Sequence, residues 1–75
     1  MTEIRVFTAP SCPYCEMAKN FLSEKGLPFK EVDVRSDLQT RQEMIELSGQ
    51  MGVPVIAVGK KVVVGFDRYR LEKIF

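Results

Sequence analysis

The spacing of apolar and polar residues changes period several times along this chain, and each change marks an element. Residues 4–8, IRVFT, form a short β-branched and aromatic run that stops at Ala9-Pro10, which predicts a buried strand feeding a loop. From Pro13 to about Lys25 the spacing becomes helical. Cys15, Ala18 and Leu22 share one stripe, Tyr14, Met17 and Phe21 an adjoining one, and Gly26 follows as a stop. Pro13 suits the first helical turn, where a missing N–H is no loss. Residues 28–34, PFKEVDV, alternate imperfectly with period two and predict a second strand.

Ser36, with Gln39 three residues on, resembles a capping box opening a second helix. Leu38, Met44, Ile45, Leu47 and Met51 are expected to give that helix an apolar side, and SGQMG (48–52) ends it. Residues 53–65, VPVIAVGKKVVVG, hold two β-branched runs joined at Gly59-Lys60, a hairpin signal. The last segment, FDRYRLEKIF, places Phe66, Tyr69, Leu71 and Ile74 at helix-compatible positions with Asp67 as the cap. The order is β-α-β-α-β-β-α. A right-handed βαβ unit with parallel strands, followed by an antiparallel hairpin, gives an α/β fold in which three helices cover both faces of a four-stranded mixed sheet.

Seventy-five residues, 45% hydrophobic and 28% charged, suffice for one small core, so a single domain over residues 1–75 is expected. The formal net charge is +1, with basic residues scattered among acids, which gives no electrostatic reason to expect nucleic acid or an anionic membrane as partner. The N-terminus lacks the basic start and long apolar run of a secretory signal, and no apolar segment approaches the roughly 20 residues that span a bilayer. A soluble, cytoplasmic protein is expected, in a compartment where thiols stay reduced. The chain has no histidine, which removes the commonest metal ligand and the usual neutral-pH base, and narrows catalysis to cysteines and carboxylates.

The only two cysteines stand in SCPYC, at the junction of the first strand and first helix. That position puts Cys12 at the helix N-terminus and Cys15 about one turn inside, so the two sulfurs can meet. Unpaired N–H groups and the helix dipole favour negative charge at Cys12, raising its thiolate fraction, while Cys15 is expected to stay a thiol until needed. Cys12 then attacks a disulfide, and Cys15 resolves the mixed disulfide to leave a Cys12–Cys15 bond. A structural zinc wants four ligands, and two cysteines without histidine do not supply them, so no metal site is expected. A structural disulfide across so short a loop would constrain the unfolded chain little. C-x-x-C between a strand and a helix of a βαβ unit is a strong pattern for redox exchange. Far along the chain, Pro54 in GVPV reads either as an ordinary strand-initiating trans proline or as a cis proline. A cis Val53–Pro54 bond would leave the Val53 main chain free to pair with an extended thiol peptide.

CPYC at 12–15, GVPV at 52–55 and VGFD at 64–67, in this order and spacing, resemble the glutaredoxins over nearly the whole chain. The resemblance implies the thioredoxin fold in its minimal four-stranded form, with Pro54 cis and packed against the cysteines. It makes Cys12 the nucleophile and Cys15 the resolving thiol, with Pro13 and Tyr14 shaping the site. It also implies glutathione as cosubstrate rather than any bound cofactor. Val53 would offer main-chain hydrogen bonds to the cysteinyl part of glutathione, and the N–H groups of Phe66 and Asp67, with the Asp67 side chain, would anchor the γ-glutamyl end. The implied partners are glutathione or thioredoxin reductase, together with disulfide-containing proteins; a monomer is the expected state.

Many glutaredoxins carry a lysine three residues before the first cysteine, where this chain has Ala9. They often have threonine before the Val-Pro pair and two glycines in the late turn, where this chain has Gly52 and Val64-Gly65. The late GF turn resembles instead the glutaredoxin-like hydrogen donors of ribonucleotide reductase, which take electrons from thioredoxin reductase. Two other classes stay open: a module in which cysteines of two chains and glutathione ligate an iron–sulfur cluster, and a noncatalytic binding module. In this family a proline at the place of Pro13 goes with poor cluster assembly. Tyr14 is expected beside the thiols, Phe66 in the core, Lys60 and Lys61 at a solvated hairpin tip, and Met17, Met44 and Met51 as core filling.

Overall fold

Alternation along the first strand decides how the layers assemble. In the computed structural model, which describes residues 3–75, β1 (Ile4–Thr8) sends Ile4 and Val6 into one apolar cluster and Phe7 into another. Successive side chains of a strand point to opposite faces, so one five-residue segment seeds a core on each side of the sheet. The strand β3 (Val55–Val58) does the same, with Ile56 on the first side and Val55 and Ala57 on the second. The helices α1 (Pro13–Glu24) and α3 (Arg68–Ile74) cover the first face with Ala18, Phe21, Leu22 and Leu71; α2 (Leu38–Ser48) covers the second with Met44.

The sheet order is β2-β1-β3-β4, with β2 at Lys30–Asp33 and β4 at Lys61–Val64. β1 pairs with β2 in parallel and with β3 antiparallel, and β3 pairs antiparallel with β4. This is the four-stranded mixed sheet with three helices that the patterning implies. The hairpin turns at Gly59-Lys60, where Gly59 takes φ 60°, the left-handed backbone that such two-residue turns require. β2 is shorter than its apolar pattern. Pro28 has no N–H to give a ladder, and pairing with β1 begins only at Lys30.

Three expectations need correction. The second helix is capped by Asp37, not Ser36: the Asp37 carboxylate accepts from Gln39 N–H at 3.0 Å and from Thr40 Oγ1 at 2.9 Å, while Ser36 Oγ is turned back to Asp33. The apolar side expected for α2 shrinks to Met44 alone, since Leu38, Leu47 and Met51 are exposed and Ile45 is half-buried. Met17 (48% exposed) and Met51 (59% exposed) are not core filling; only Met44 is. Met17 instead walls a shallow cleft of about 220 Å³ between α1 and the start of α3. Tyr69 is likewise on the surface, and Leu71 is the residue by which α3 is anchored.

The helix caps carry a test. Hydrogen bonds from Thr40 and from the Gln39 N–H hold the Asp37 carboxyl below its ordinary value. A depressed native value means that the stabilisation is present above the unfolded carboxyl's titration and is lost as pH falls through the native one. Asp37→Ala is therefore expected to lower the melting temperature near neutral pH, with the difference from the parent closing in strong acid, whereas Ser36→Ala leaves the melt nearly unchanged. Thermal melts of both variants across acid to neutral pH check this; an equal effect of the two would contradict the assignment of the cap.

Candidate active site

Cys12 ends a short irregular loop that leaves β1, and its backbone there is extended (φ −111°, ψ 105°) because it is the N-cap of α1. The preceding Ser11 has φ 60°, a left-handed conformation uncommon for a residue with a side chain, and it turns the chain into the cap. Pro13 occupies the first turn of the helix. The cap hydrogen bond uses sulfur: Cys12 Sγ accepts from the Cys15 N–H at 3.2 Å, and Cys12 C=O accepts from the Glu16 N–H at 3.2 Å. Both cysteines are free thiols; Cys12 is partly exposed and Cys15 is 1% exposed.

The two thiols are thus unlike in their surroundings. Burial pushes Cys15 up to about 11, and its hydrogen bond to the Cys12 sulfur, together with any negative charge there, pushes the same way. The Ala9 backbone N–H and the Lys19 ammonium oppose this. Two of the three influences that raise Cys15 therefore depend on what Cys12 carries. Once Cys12 is bonded to another sulfur it bears no charge, and Cys15 gives up its proton more easily.

Several residues singled out in the sequence lie at the end of the sheet where β1 runs into the cysteine loop. The Val53–Pro54 peptide bond is cis, and Pro54 is buried at the start of β3. Neither the N–H nor the C=O of Val53 has a hydrogen-bond partner among the described residues, and its side chain packs on the cluster of the second face. The Gly65 N–H donates to Pro54 C=O at 2.8 Å, which ties the proline loop to the turn that opens α3. Because Phe7 pairs with Val55 and Val55 with Val64, this turn, the proline loop and the cysteine loop all lie at the same end of the sheet.

Tyr14, 60% exposed, stands on the first turn of α1 next to both cysteines in sequence. Phe66 is half-buried, its ring edge-on to Phe21 at 6.3 Å, as the core reading expects. Asp67 Oδ1 accepts from the Arg70 N–H at 3.1 Å and caps α3, so one of its two oxygens is engaged within the chain. Among the described residues no three acidic or cysteine side chains converge as a metal cage would require.

Three residues to which the sequence assigns no site role, Thr8, Lys19 and Glu31, form a linked cluster across β1, α1 and β2. Thr8, buried at the end of β1, donates from Oγ1 to Glu31 Oε2 at 3.1 Å; Lys19 Nζ contacts the same Glu31 oxygen at 2.9 Å and Glu16 Oε1 at 2.9 Å. The two carboxylates raise Lys19 to about 12, and Lys19 first, then Thr8, hold Glu31 below the usual carboxylate range. A signal for one part existed: Lys19 follows Cys15 by four residues, the spacing of neighbours on a helix face. Glu31 and Thr8 join only through the β1–β2 register.

Similarity to known proteins agrees with this geometry. A sequence model of the glutaredoxin family matches residues 4–63. The chain is 38% identical over 71 residues to an uncharacterized glutaredoxin-like 8.6 kDa protein in the rubredoxin operon of Clostridium pasteurianum, covering 95% of each chain. It is 37% identical over 67 residues to glutaredoxin 3 of Escherichia coli K12, covering 89% of this chain and 81% of that one. Among solved structures, the thioredoxin-like protein BC3987 superposes with a TM-score of 0.91 at 29% identity, covering 97% of this chain and 100% of that one. The NrdH-redoxin of Escherichia coli, at 20% identity and a TM-score of 0.85, shares the fold. With its family match spanning most of the sequence, its Cys12/Cys15 helix cap and its four-stranded thioredoxin-like sheet, the chain belongs to the glutaredoxin family.

Proposed function

We propose that this protein is a thiol–disulfide oxidoreductase of glutaredoxin type that reduces mixed disulfides of glutathione or of proteins through a Cys12/Cys15 dithiol cycle. The observation that carries the reading is the inequality of the two thiols: a partly exposed sulfur at a helix cap and a buried one behind it. In the first step Cys12 thiolate attacks a substrate disulfide, a Cys12–S bond forms, the substrate S–S bond breaks, and the departing sulfur takes up a proton. In the second, Cys15 loses its proton and attacks Cys12 Sγ, the Cys12–Cys15 bond forms, and the remaining substrate sulfur leaves as a thiol. Two electrons pass from the chain to the substrate, so a reductant must return them.

Glutathione fits that role. The unpartnered N–H and C=O of Val53 suit an extended cysteinyl main chain, which pairs as an added strand would. The N–H groups of Phe66 and Asp67 and the Asp67 oxygen left free by the cap suit the γ-glutamyl end, and the exposed Tyr14, between the cysteines in sequence, suits contact with the substrate. Ala9 favours a second reading, in which thioredoxin reductase is the reductant, because it brings no cation for the glycyl carboxylate. The oxidised protein is expected to be reduced faster by glutathione, in an assay coupled through glutathione reductase, than by NADPH with thioredoxin reductase. The opposite preference would favour the donor reading, and reduction by neither would overturn both.

A further inference from the structure

The second half of the cycle asks for something that the cysteine pair alone does not supply. Cys15 is enclosed, only 1% exposed, yet it has to attack as a thiolate. One turn further along α1, Lys19 is its neighbour on the helix face. This lysine does not sweep through solvent as surface lysines do: its side chain is 21% exposed, and Glu16 Oε1 and Glu31 Oε2 each hold the ammonium at 2.9 Å. Glu31 is itself fixed by Thr8 Oγ1, and Thr8 immediately precedes Ala9, whose N–H reaches Cys15. Residues of β1, β2 and α1 thus clamp one cation a helical turn along from a buried sulfur.

We propose that Lys19 is a positioning residue for the resolving step, its ammonium clamped by Glu16 and Glu31 so that it stabilises Cys15 as that sulfur becomes anionic and attacks the Cys12 mixed disulfide. The inference rests on the dithiol reading above. The ionisable groups around the pair are Cys12 and Glu16 from α1 and its cap, and Glu31 and Asp33 from β2; β1 contributes the neutral Thr8 and the Ala9 N–H. Against them Lys19 is a positive charge, and it acts on Cys15 in the direction of the thiolate. In the step concerned the Cys15 proton passes to water, Cys15 Sγ bonds to Cys12 Sγ, the Cys12–substrate bond breaks, and the substrate sulfur leaves with the electron pair and is protonated.

The test mixes the reduced full-length protein with dithiobis(nitrobenzoate) in a stopped flow. Attack by Cys12 releases the first nitrothiolate, and attack by Cys15 on the resulting adduct releases the second. Lys19→Met is expected to leave the first phase unchanged and to slow the second roughly 3- to 10-fold at neutral pH, the order of effect of one charge a helical turn away near a protein surface. The pH profile of the second phase should move upward, and Lys19→Arg should restore it. Lys19→Gln repeats the measurement should the methionine variant fold poorly. A second phase in Lys19→Met with the parent's rate and pH profile would overturn the proposal, as would a Lys19→Arg variant as slow as Lys19→Met, or equal slowing of both phases without a moved profile. A parent whose second phase is no faster than that of Cys15→Ser would remove the dithiol reading as well.

Discussion

Replacing Cys12 by serine is expected to reduce turnover of a glutathione mixed disulfide to the background rate, while the protein stays folded. The serine hydroxyl is a good N-cap and can accept from the Cys15 N–H as the sulfur does, so the helix start is preserved and the loss is chemical. Cys15 cannot take over, because it is 1% exposed and pushed up to about 11 by burial and by its bond to Cys12. Removal of the Cys12 sulfur lifts part of that upward push, but it does not open a path for a disulfide to reach the buried thiol. Cys15→Ser should behave differently: the first attack survives, and the mixed disulfide accumulates, visible as a mass increase equal to the captured thiol. Steady-state assay of both variants, with mass spectrometry of the trapped species, checks the pair of outcomes. Dithiol activity retained by Cys12→Ser would overturn the division of labour between the two sulfurs.

The second large effect concerns α2, the helix that covers the second face of the sheet. Met44 is the only fully buried side chain of α2, and it is the link between that helix and Phe7, Val34, Val55 and Ala57. Truncation to alanine is expected to cost about 2–5 kcal/mol, the range for emptying a buried aliphatic site. A chain of this length has a total stability of about 4–11 kcal/mol, so the variant should be marginal. Urea unfolding measures the loss, and amide exchange locates it: protection should fall in 38–48 before it falls in β1 or β3. Met44→Leu, close in volume, should cost less than about 1.5 kcal/mol. A loss under about 1 kcal/mol for Met44→Ala would mean that α2 is held by something other than this side chain.

That dependence on one methionine explains what the sequence could and could not reveal. Periodicity shows which residues share a helix face, but not whether anything covers that face. The stripe Leu38, Met44, Ile45, Leu47 and Met51 is real as spacing, and only Met44 meets the sheet, because α2 covers a face that β1 and β3 largely fill with Phe7, Val55 and Ala57. Met17 differs in the same way, since α1 turns Cys15, Ala18, Phe21 and Leu22 inward and leaves Met17 at the wall of a cleft. The choice between Ser36 and Asp37 was closed to sequence reasoning because both carry a capping oxygen; the turn after β2 decides it by engaging Ser36 with Asp33. By contrast β1, the hairpin and the cysteine cap were legible, since each is specified by residues adjacent in the chain. The clamp on Lys19 was half legible: its spacing from Cys15 is local, but Glu31 meets it only through tertiary register.

The Gly65 N–H bond to Pro54 C=O also divides the molecule lengthwise. It joins the proline loop to the opening of α3 at the end of the sheet that also holds the cysteine loop, while the Gly59-Lys60 turn lies at the other end, where the Gly59 N–H donates to Glu3 C=O. Four-residue strands set these ends about 13 Å apart. Bulk carried at that turn, whether a label, a tether or a fused chain, sits at the end of the sheet opposite the loop that carries Cys12, so the fold keeps a handle apart from its reactive tip.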